Sequence, residues 1–227
     1  MPVFQLNEAL IFPPVELSEA NGLLAIGGDL APERLIMAYT NGIFPWFGED
    51  EPILWWSPDP RLVLFPAKLH VSRSMRQTLH QGRFSITYDR CFREIITACR
   101  VSRREEGETW ITEAMVDAYC RLYDQGIAHS VEAWYNGELA GGLYGVALGA
   151  CFFGESMFTK ISNASKAALI TLTRALQARG FRLIDCQVDS PHLQSLGAEL
   201  LPRKIFLNLM TAALQQPANP GRWIDWS

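Results

Sequence analysis

The pattern of apolar and polar positions changes character along the chain, and turn residues mark the joints. Residues 1–61 are rich in Pro and Gly and weak in periodicity. One short helix stands out there, with Pro32 in its first turn, Leu35, Ile36 and Tyr39 at helical spacing, and Asn41-Gly42 as its stop. Leu62 to Phe65 reads as a short strand. A helix capped by Ser72 turns Met75 and Leu79 inward and puts Arg73, Arg76 and His80 on another face. Two further helices follow. One comes after Asp89, with Phe92, Ile95, Ile96 and Cys99 inward. The other comes after Thr112, with Met115, Val116, Tyr119 and Leu122 inward, and stops at Gly126.

From Ser130 the period becomes that of a sheet. Ser130 to Tyr135 leads into Asn136-Gly137, a strong two-residue hairpin signal, and the return strand runs through Val146. A turn at Leu148-Gly149 precedes a strand from Ala150 to Phe158. A helix capped by Ser162 or Asn163 carries Leu169, Leu172 and Leu176 and ends at Gly180. Phe181 to Val188 returns as a buried strand, and an amphipathic helix spans Arg203 to Leu214. Hairpin, strand, helix, strand, helix is the order of a GNAT-like N-acyltransferase domain. The expected class is therefore α/β (α+β), with a small N-terminal domain over 1–61 and a GNAT-like domain over 62–227. Fold alone does not give function.

Composition adds exclusions. No apolar run reaches the roughly 18 residues that span a bilayer, and the first residues lack a basic stretch followed by an apolar one. The five cysteines are odd in number and form no CxxC pair, and the four histidines show no metal-ligand spacing. A reduced, monomeric cytoplasmic protein without a metal is expected. The net charge of −4 conceals a segregation: residues 1–60 hold one Lys/Arg and nine Asp/Glu, whereas 61–104 hold ten and two. Such separation suits a polyanion-binding surface, although a solvated basic helix face reads the same way.

Two strands carry the candidate chemistry. In Phe152-Phe153-Gly154-Glu155-Ser156-Met157-Phe158 an acid sits among large apolar side chains. It must be paired, hydrogen-bonded or turned on a ligand. A bulge at Gly154 would aim Phe152 and Glu155 the same way. In Ile184-Asp185-Cys186-Gln187, strand alternation puts Asp185 and Gln187 on one face, with Ile184 and Cys186 on the other. Cys186 then reads as a packed thiol. A Cys186–His192 nucleophilic pair is the weaker alternative, since nothing marks an oxyanion site.

A CoA-dependent acyltransferase needs a Gly-rich loop to cradle the pyrophosphate. The corresponding connection here, Thr159 to Lys166, contains no glycine. The expected acyl donor is therefore not a CoA thioester.

Five blocks in order are specific: Asn21 to Leu30, Gly42 to Phe47, Trp55 to Arg61, Gly154 to Phe158 and Ile184 to Gln187. Together they resemble the leucyl/phenylalanyl-tRNA–protein transferases of bacteria, over about residues 20 to 210. Arg104 to Trp110 departs from the family pattern by an extra residue before Trp110.

The resemblance implies transfer of Leu or Phe, with Met a further candidate, from aminoacyl-tRNA to proteins beginning with Arg or Lys. The product is an N-degron, and no cofactor is implied. By position, Leu143, Phe152, Met157, Leu169, Leu172 and Ile184 would surround the amino-acid side chain. Tyr39, Trp46 and Trp110 would flank the terminal adenosine. Glu155 would orient the donor, Asp185 and Gln187 would meet the incoming amine, and Lys68, Arg73, Arg76 and Arg83 would touch tRNA. Two other classes stay open from the residues alone: a CoA-dependent N-acetyltransferase and a non-catalytic tRNA-binding module.

Overall fold

The computed structural model describes residues 3–106, 109–217 and 221–226. The extra residue expected before Trp110 falls beside Gly107 and Glu108, which lie outside the described residues. Four short strands build an N-terminal sheet: β1 (Phe4–Leu6), β2 (Leu23–Gly27), β3 (Phe44–Pro45) and β4 (Leu54–Trp56), in the order β1-β2-β4-β3. Helix α1 (Pro32–Thr40) links β2 to β3. The expected helix is there; the sheet around it was not anticipated, because strands of two to five residues leave little alternation to read.

The main sheet has seven strands: β5 (Arg61–Leu64), β6 (Ser85–Tyr88), β7 (Ala128–Tyr135), β8 (Glu138–Leu148), β9 (Cys151–Thr159), β10 (Leu183–Gln187) and β11 (Glu199–Leu201). Their order is β11-β5-β10-β9-β8-β7-β6. Only β9 and β10 among these neighbours run parallel, joined by the crossover helix α5 (Ala164–Ala178). The remaining helices are α2 (Arg73–His80), α3 (Phe92–Glu106), α4 (Glu113–Asp124), α6 (Pro191–Gln194) and α7 (Arg203–Leu214).

Local chemistry explains most of these boundaries. The Ser72 and Thr112 hydroxyls accept from the Met75 and Met115 amides, satisfying N-terminal donors of α2 and α4. Asn136 (φ 51°) and Gly137 (φ 82°) give the two left-handed residues that a tight hairpin needs. Helix α5 differs from expectation. Neither Ser162 nor Asn163 caps it through a side chain, and Asn163 instead takes a left-handed backbone with φ 75°.

Alternation sends adjacent strand residues into two apolar layers. Val63, Tyr144, Phe153 and Leu183 face a layer that includes α3, α4, α7 and the N-terminal sheet. Leu62, Leu143, Phe152 and Ile184 face a layer with α5, Met75 of α2 and Trp223 of the C-terminal tail. The N-terminal sheet thus shares a core with the main sheet, and Arg61, expected to end the first domain, begins β5.

Of the register irregularities in the main sheet, two concern the candidate chemistry. Between β8 and β9, Tyr144 pairs Ser156 and Gly145 pairs Gly154, leaving Glu155 as the extra residue. Between β10 and β5, Asp185 pairs Val63 and Gln187 pairs Leu62, leaving Cys186 as the extra residue. Pairing of β9 with β10 stops at Phe153 and Asp185, so the strands part beyond that point.

Gly145 is essential to this packing. A Cβ there would fall 2.2 Å from the Phe153 carbonyl oxygen and 2.5 Å from Phe152 Cζ, whereas one on Gly154 would meet only the Asp185 carbonyl at 3.7 Å. Gly145→Ala is expected to cost about 1–3 kcal/mol in urea unfolding, and Gly154→Ala under about 1 kcal/mol. Equal costs for the two would contradict this account of the bulge.

Candidate active site

Where β9 and β10 part, a cavity of about 840 Å³ opens. Its apolar wall includes Leu143, Phe152, Met157, Leu169 and Ile184, and its outer part includes Trp46, Trp56 and Trp110. Trp46 is 43% exposed, and its ring lies 5.8 Å from that of Trp56. Glu155, Cys186, Gln187 and His192 supply titratable or polar groups to the lining.

Three donors converge on the Glu155 carboxylate. Tyr39 Oη donates to Oε1 at 2.7 Å, Tyr119 Oη to Oε2 at 2.9 Å, and Gln187 Nε2 to Oε1 at 3.1 Å. The two phenol hydroxyls also touch each other. Burial, followed by the charge of Glu155, raises both phenols well above their ordinary range, so they remain O–H donors. For Glu155, burial outweighs the hydrogen bonds from Tyr39 and Tyr119 and pushes its pKa up to about 7.

Asp185 sits differently from its expected place. It is fully buried and does not line the cavity. Arg61, itself buried, donates Nε to Oδ1 at 2.8 Å and Nη2 to Oδ2 at 2.7 Å. The third guanidinium nitrogen, Nη1, donates to the Gly42 carbonyl at 3.2 Å, and Phe44 and Phe206 each approach within 4.8 Å of the cation. Asp185 Oδ1 also accepts the Gln187 backbone N–H at 3.0 Å.

That last bond explains the correction to the strand's facing. Cys186 is bulged and Gln187 has φ +60°, so simple alternation fails. Gln187 turns to Glu155 and shares the cavity with Ile184 and Cys186, while Asp185 points to Arg61. Burial raises the Cys186 thiol well above its ordinary value, so it is held protonated and poorly nucleophilic.

Other expected residues divide as follows. Leu143, Phe152, Met157, Leu169 and Ile184 come together on the wall, but Leu172 lies behind it in the buried layer against α5. Tyr39 has no exposed surface and is not beside Trp46 and Trp110 on the lining; it lies beneath Glu155, with its ring 5.0 Å from Phe153. Lys68, Arg73, Arg76 and Arg83 are exposed and outside the cavity. Lys68 pairs with Glu199 at 2.6 Å, and Arg83 stacks over Phe84 and Tyr135.

Sequence reasoning missed Arg61, Tyr119 and the cavity-lining Arg103. Tyr119 was read as part of an apolar stripe, yet a buried phenol needs a hydrogen-bond partner. Arg61, a cation heading the apolar run Leu62-Val63-Leu64, carried a similar signal. Among the described residues no group of three or more His, Cys, Asp or Glu is arranged to hold a metal, and no helix is long and apolar enough to cross a membrane.

An open mixed sheet of this order, parted between two strands that a helix connects, is an α/β (α+β) arrangement of the kind expected for a GNAT-like domain. A family model described as "Leucyl/phenylalanyl-tRNA protein transferase" matches residues 63–211, and that family's N-terminal domain matches 28–59. The chain belongs to the leucyl/phenylalanyl-tRNA–protein transferase family. It is 57% identical to the leucyl/phenylalanyl-tRNA–protein transferase of Desulfatibacillum aliphaticivorans, covering 98% of this chain and 96% of the relative. Against that of Myxococcus xanthus it is 52% identical, covering 99% and 97%. Among solved structures, "The structure of L-PGS from Bacillus licheniformis" aligns at TM-score 0.47 and 8% identity, over 86% of this chain and 72% of that one. A "GCN5-related N-acetyltransferase from Kribbella flavida" aligns at TM-score 0.36 and 13% identity, over 74% and 59%.

The buried pair gives a stability test. Arg61→Met strands the Asp185 carboxylate and is expected to cost about 3–5 kcal/mol, and adding Asp185→Leu should recover most of that. Urea unfolding of both variants checks it; a double variant no more stable than the single would contradict it.

Glu155 gives a second test, on pH. Its pKa is raised from 4.5 to about 7, so folding favours the protonated form, and this contribution is lost as pH rises between those values. Glu155→Gln, which cannot ionise, should therefore raise Tm more at pH 8 than at pH 4. Equal shifts at both would show that the carboxyl ionises normally.

Proposed function

We propose that the chain moves Leu or Phe from aminoacyl-tRNA to the α-amino group of proteins beginning with Arg or Lys, creating an N-degron. The observation that carries this reading is the half-buried Glu155, pushed up to about 7, beside an apolar pocket and an amide. The apolar wall suits an aliphatic or aromatic side chain, and such pockets discriminate only modestly between similar shapes. Trp46 and Trp110 offer surfaces on which the unpaired acceptor end can stack.

The acyl ester arrives activated, so alignment of amine and ester supplies much of the rate. An α-amino group titrates near 7.7–8.0. A carboxylate near 7 is matched to it far better than an ordinary one, and Glu155 receives the ammonium proton. The freed nitrogen lone pair attacks the ester carbonyl carbon, the peptide C–N bond forms, and the ester C–O bond breaks. The nitrogen's second proton passes to the departing ribose oxygen, and the first leaves Glu155 for solvent. Gln187 donates its amide N–H to Glu155, and its side-chain carbonyl is free to accept from the incoming amine. Asp185 acts as a positioning residue, through the Gln187 backbone N–H and without touching substrate.

Lys68, Arg73, Arg76 and Arg83 are proposed tRNA-phosphate contacts, which predicts affinity that falls as salt rises. The free cysteines support action in a reducing cytoplasm, where the chain acts as a monomer, and separate family models over 28–59 and 63–211 support two domains.

Incubation with radiolabelled Leu-tRNA and a protein bearing N-terminal Arg should place label in polypeptide. Affinity for tRNA with no transfer would leave a binding module, and turnover of acetyl-CoA would leave an acetyltransferase. Glu155→Gln should lower kcat by about 10²-fold or more and abolish the rise of kcat through pH 7. An unchanged pH profile would remove Glu155 from proton transfer.

A further inference from the structure

The C-terminal tail returns behind the apolar wall of the cavity. It passes the turn after α4 so closely that a Cβ on Gly126 would lie 3.0 Å from the Gly221 Cα. The Trp223 backbone N–H donates to Asp89 Oδ2 at 2.6 Å, while Asp89 Oδ1 accepts the Ser130 N–H at 2.9 Å. The Trp223 indole is 1% exposed. It is stacked between His129, 3.7 Å away, and Trp226, 3.8 Å away, and the Arg179 guanidinium covers Trp226 at 4.1 Å.

Trp223 also reaches Phe152, with ring centroids 5.9 Å apart. Phe152 is hemmed in on a second side as well. On its Gly145 side, the space a Cβ would need is already filled by the ring. The phenyl is thus flanked by Trp223 and by the Gly145 backbone, and of these two the Trp223 side chain is the one that can give way.

The geometry points to Trp223 as a positioning residue that sets the depth of the pocket, and with it the choice between Leu and Phe donors. This rests on the reading of that pocket as the donor amino-acid site. Interiors are close-packed, so a smaller residue at 223 leaves space into which neighbours partly relax. Phe152 then withdraws, the pocket deepens, and the larger phenyl side chain gains relative to isobutyl. A change of one methylene in an apolar pocket shifts selectivity by about 10-fold or more, and a transmitted shift is smaller.

The measurement is kcat/KM of the full chain for Phe-tRNA and Leu-tRNA, with N-terminal Arg protein as acceptor. Trp223→Leu should raise the Phe/Leu ratio about three- to ten-fold, and Trp223→Phe, which keeps a ring and the fold, should raise it about two- to three-fold. Phe152→Leu should raise the ratio directly. Adding Trp223→Phe to it should then have little further effect, because the two act through one wall. If Phe152→Leu shifts the ratio while folded Trp223 variants keep the wild-type value, or if the double variant is additive, the role of Trp223 is overturned. If Phe152→Leu also leaves the ratio unchanged, it is the pocket assignment that fails.

Discussion

A guanidinium with no access to water joins five parts of this molecule. Arg61 belongs to β5, grips Asp185 of β10 with two nitrogens, holds the Gly42 carbonyl after α1 with the third, and lies between Phe44 of β3 and Phe206 of α7. A buried ion pair seldom stabilises a fold more than an apolar replacement would. What it contributes here is geometry. Once Asp185 is fixed, its Oδ1 holds the Gln187 amide, and Gln187 stays in a left-handed conformation that L side chains rarely adopt. The Gln187 side chain then reaches Glu155 across the gap between the strands.

The Glu155 carboxyl is the counterpart on the other strand. Three hydrogen bonds would ordinarily lower a carboxyl's pKa, yet desolvation wins and raises it. The same surroundings that make ionisation difficult allow proton exchange near neutrality. Tyr39 and Tyr119, arriving from α1 and α4, keep the group oriented in either protonation state. The N-terminal sheet and α1 are therefore part of the site's support, not an appendage to it.

What the sequence makes legible is local. Caps at Ser72 and Thr112, the Asn136-Gly137 hairpin and the Arg203–Leu214 helix are punctuated by residues whose chemistry acts over a few positions. The bulge at Glu155 could also be anticipated, because Gly154 marks it and an acid among phenylalanines demands an explanation. The second bulge had no such mark. Gln187 is not a glycine, and its backbone is turned by a carboxylate that is itself held by a residue 124 positions away. Alternation therefore put Asp185 on the substrate side, and family position put Tyr39 against an adenosine. Leu172 failed for a simpler reason, since a helix stripe does not say which of its members reach a cavity and which stop at the layer behind. Strands β1, β6 and β11 were invisible because partners elsewhere in the chain define them.

The order of strands also bears on how the chain is made. β5 lies between β10 and β11, so Arg61 leaves the ribosome more than a hundred residues before either neighbour of its strand exists. At about 5–20 residues per second, the nascent chain carries this cation unpaired for roughly 6–25 s. The N-terminal sheet can pair within itself early, but the main sheet cannot close around β5 until β10 and β11 have emerged. Long-range strand pairing of this kind is intrinsically slow to form. Synthesis of an intact site is thus a late event, and an mRNA truncated before codon 183 would yield a polypeptide without Asp185, the carboxylate partner of Arg61.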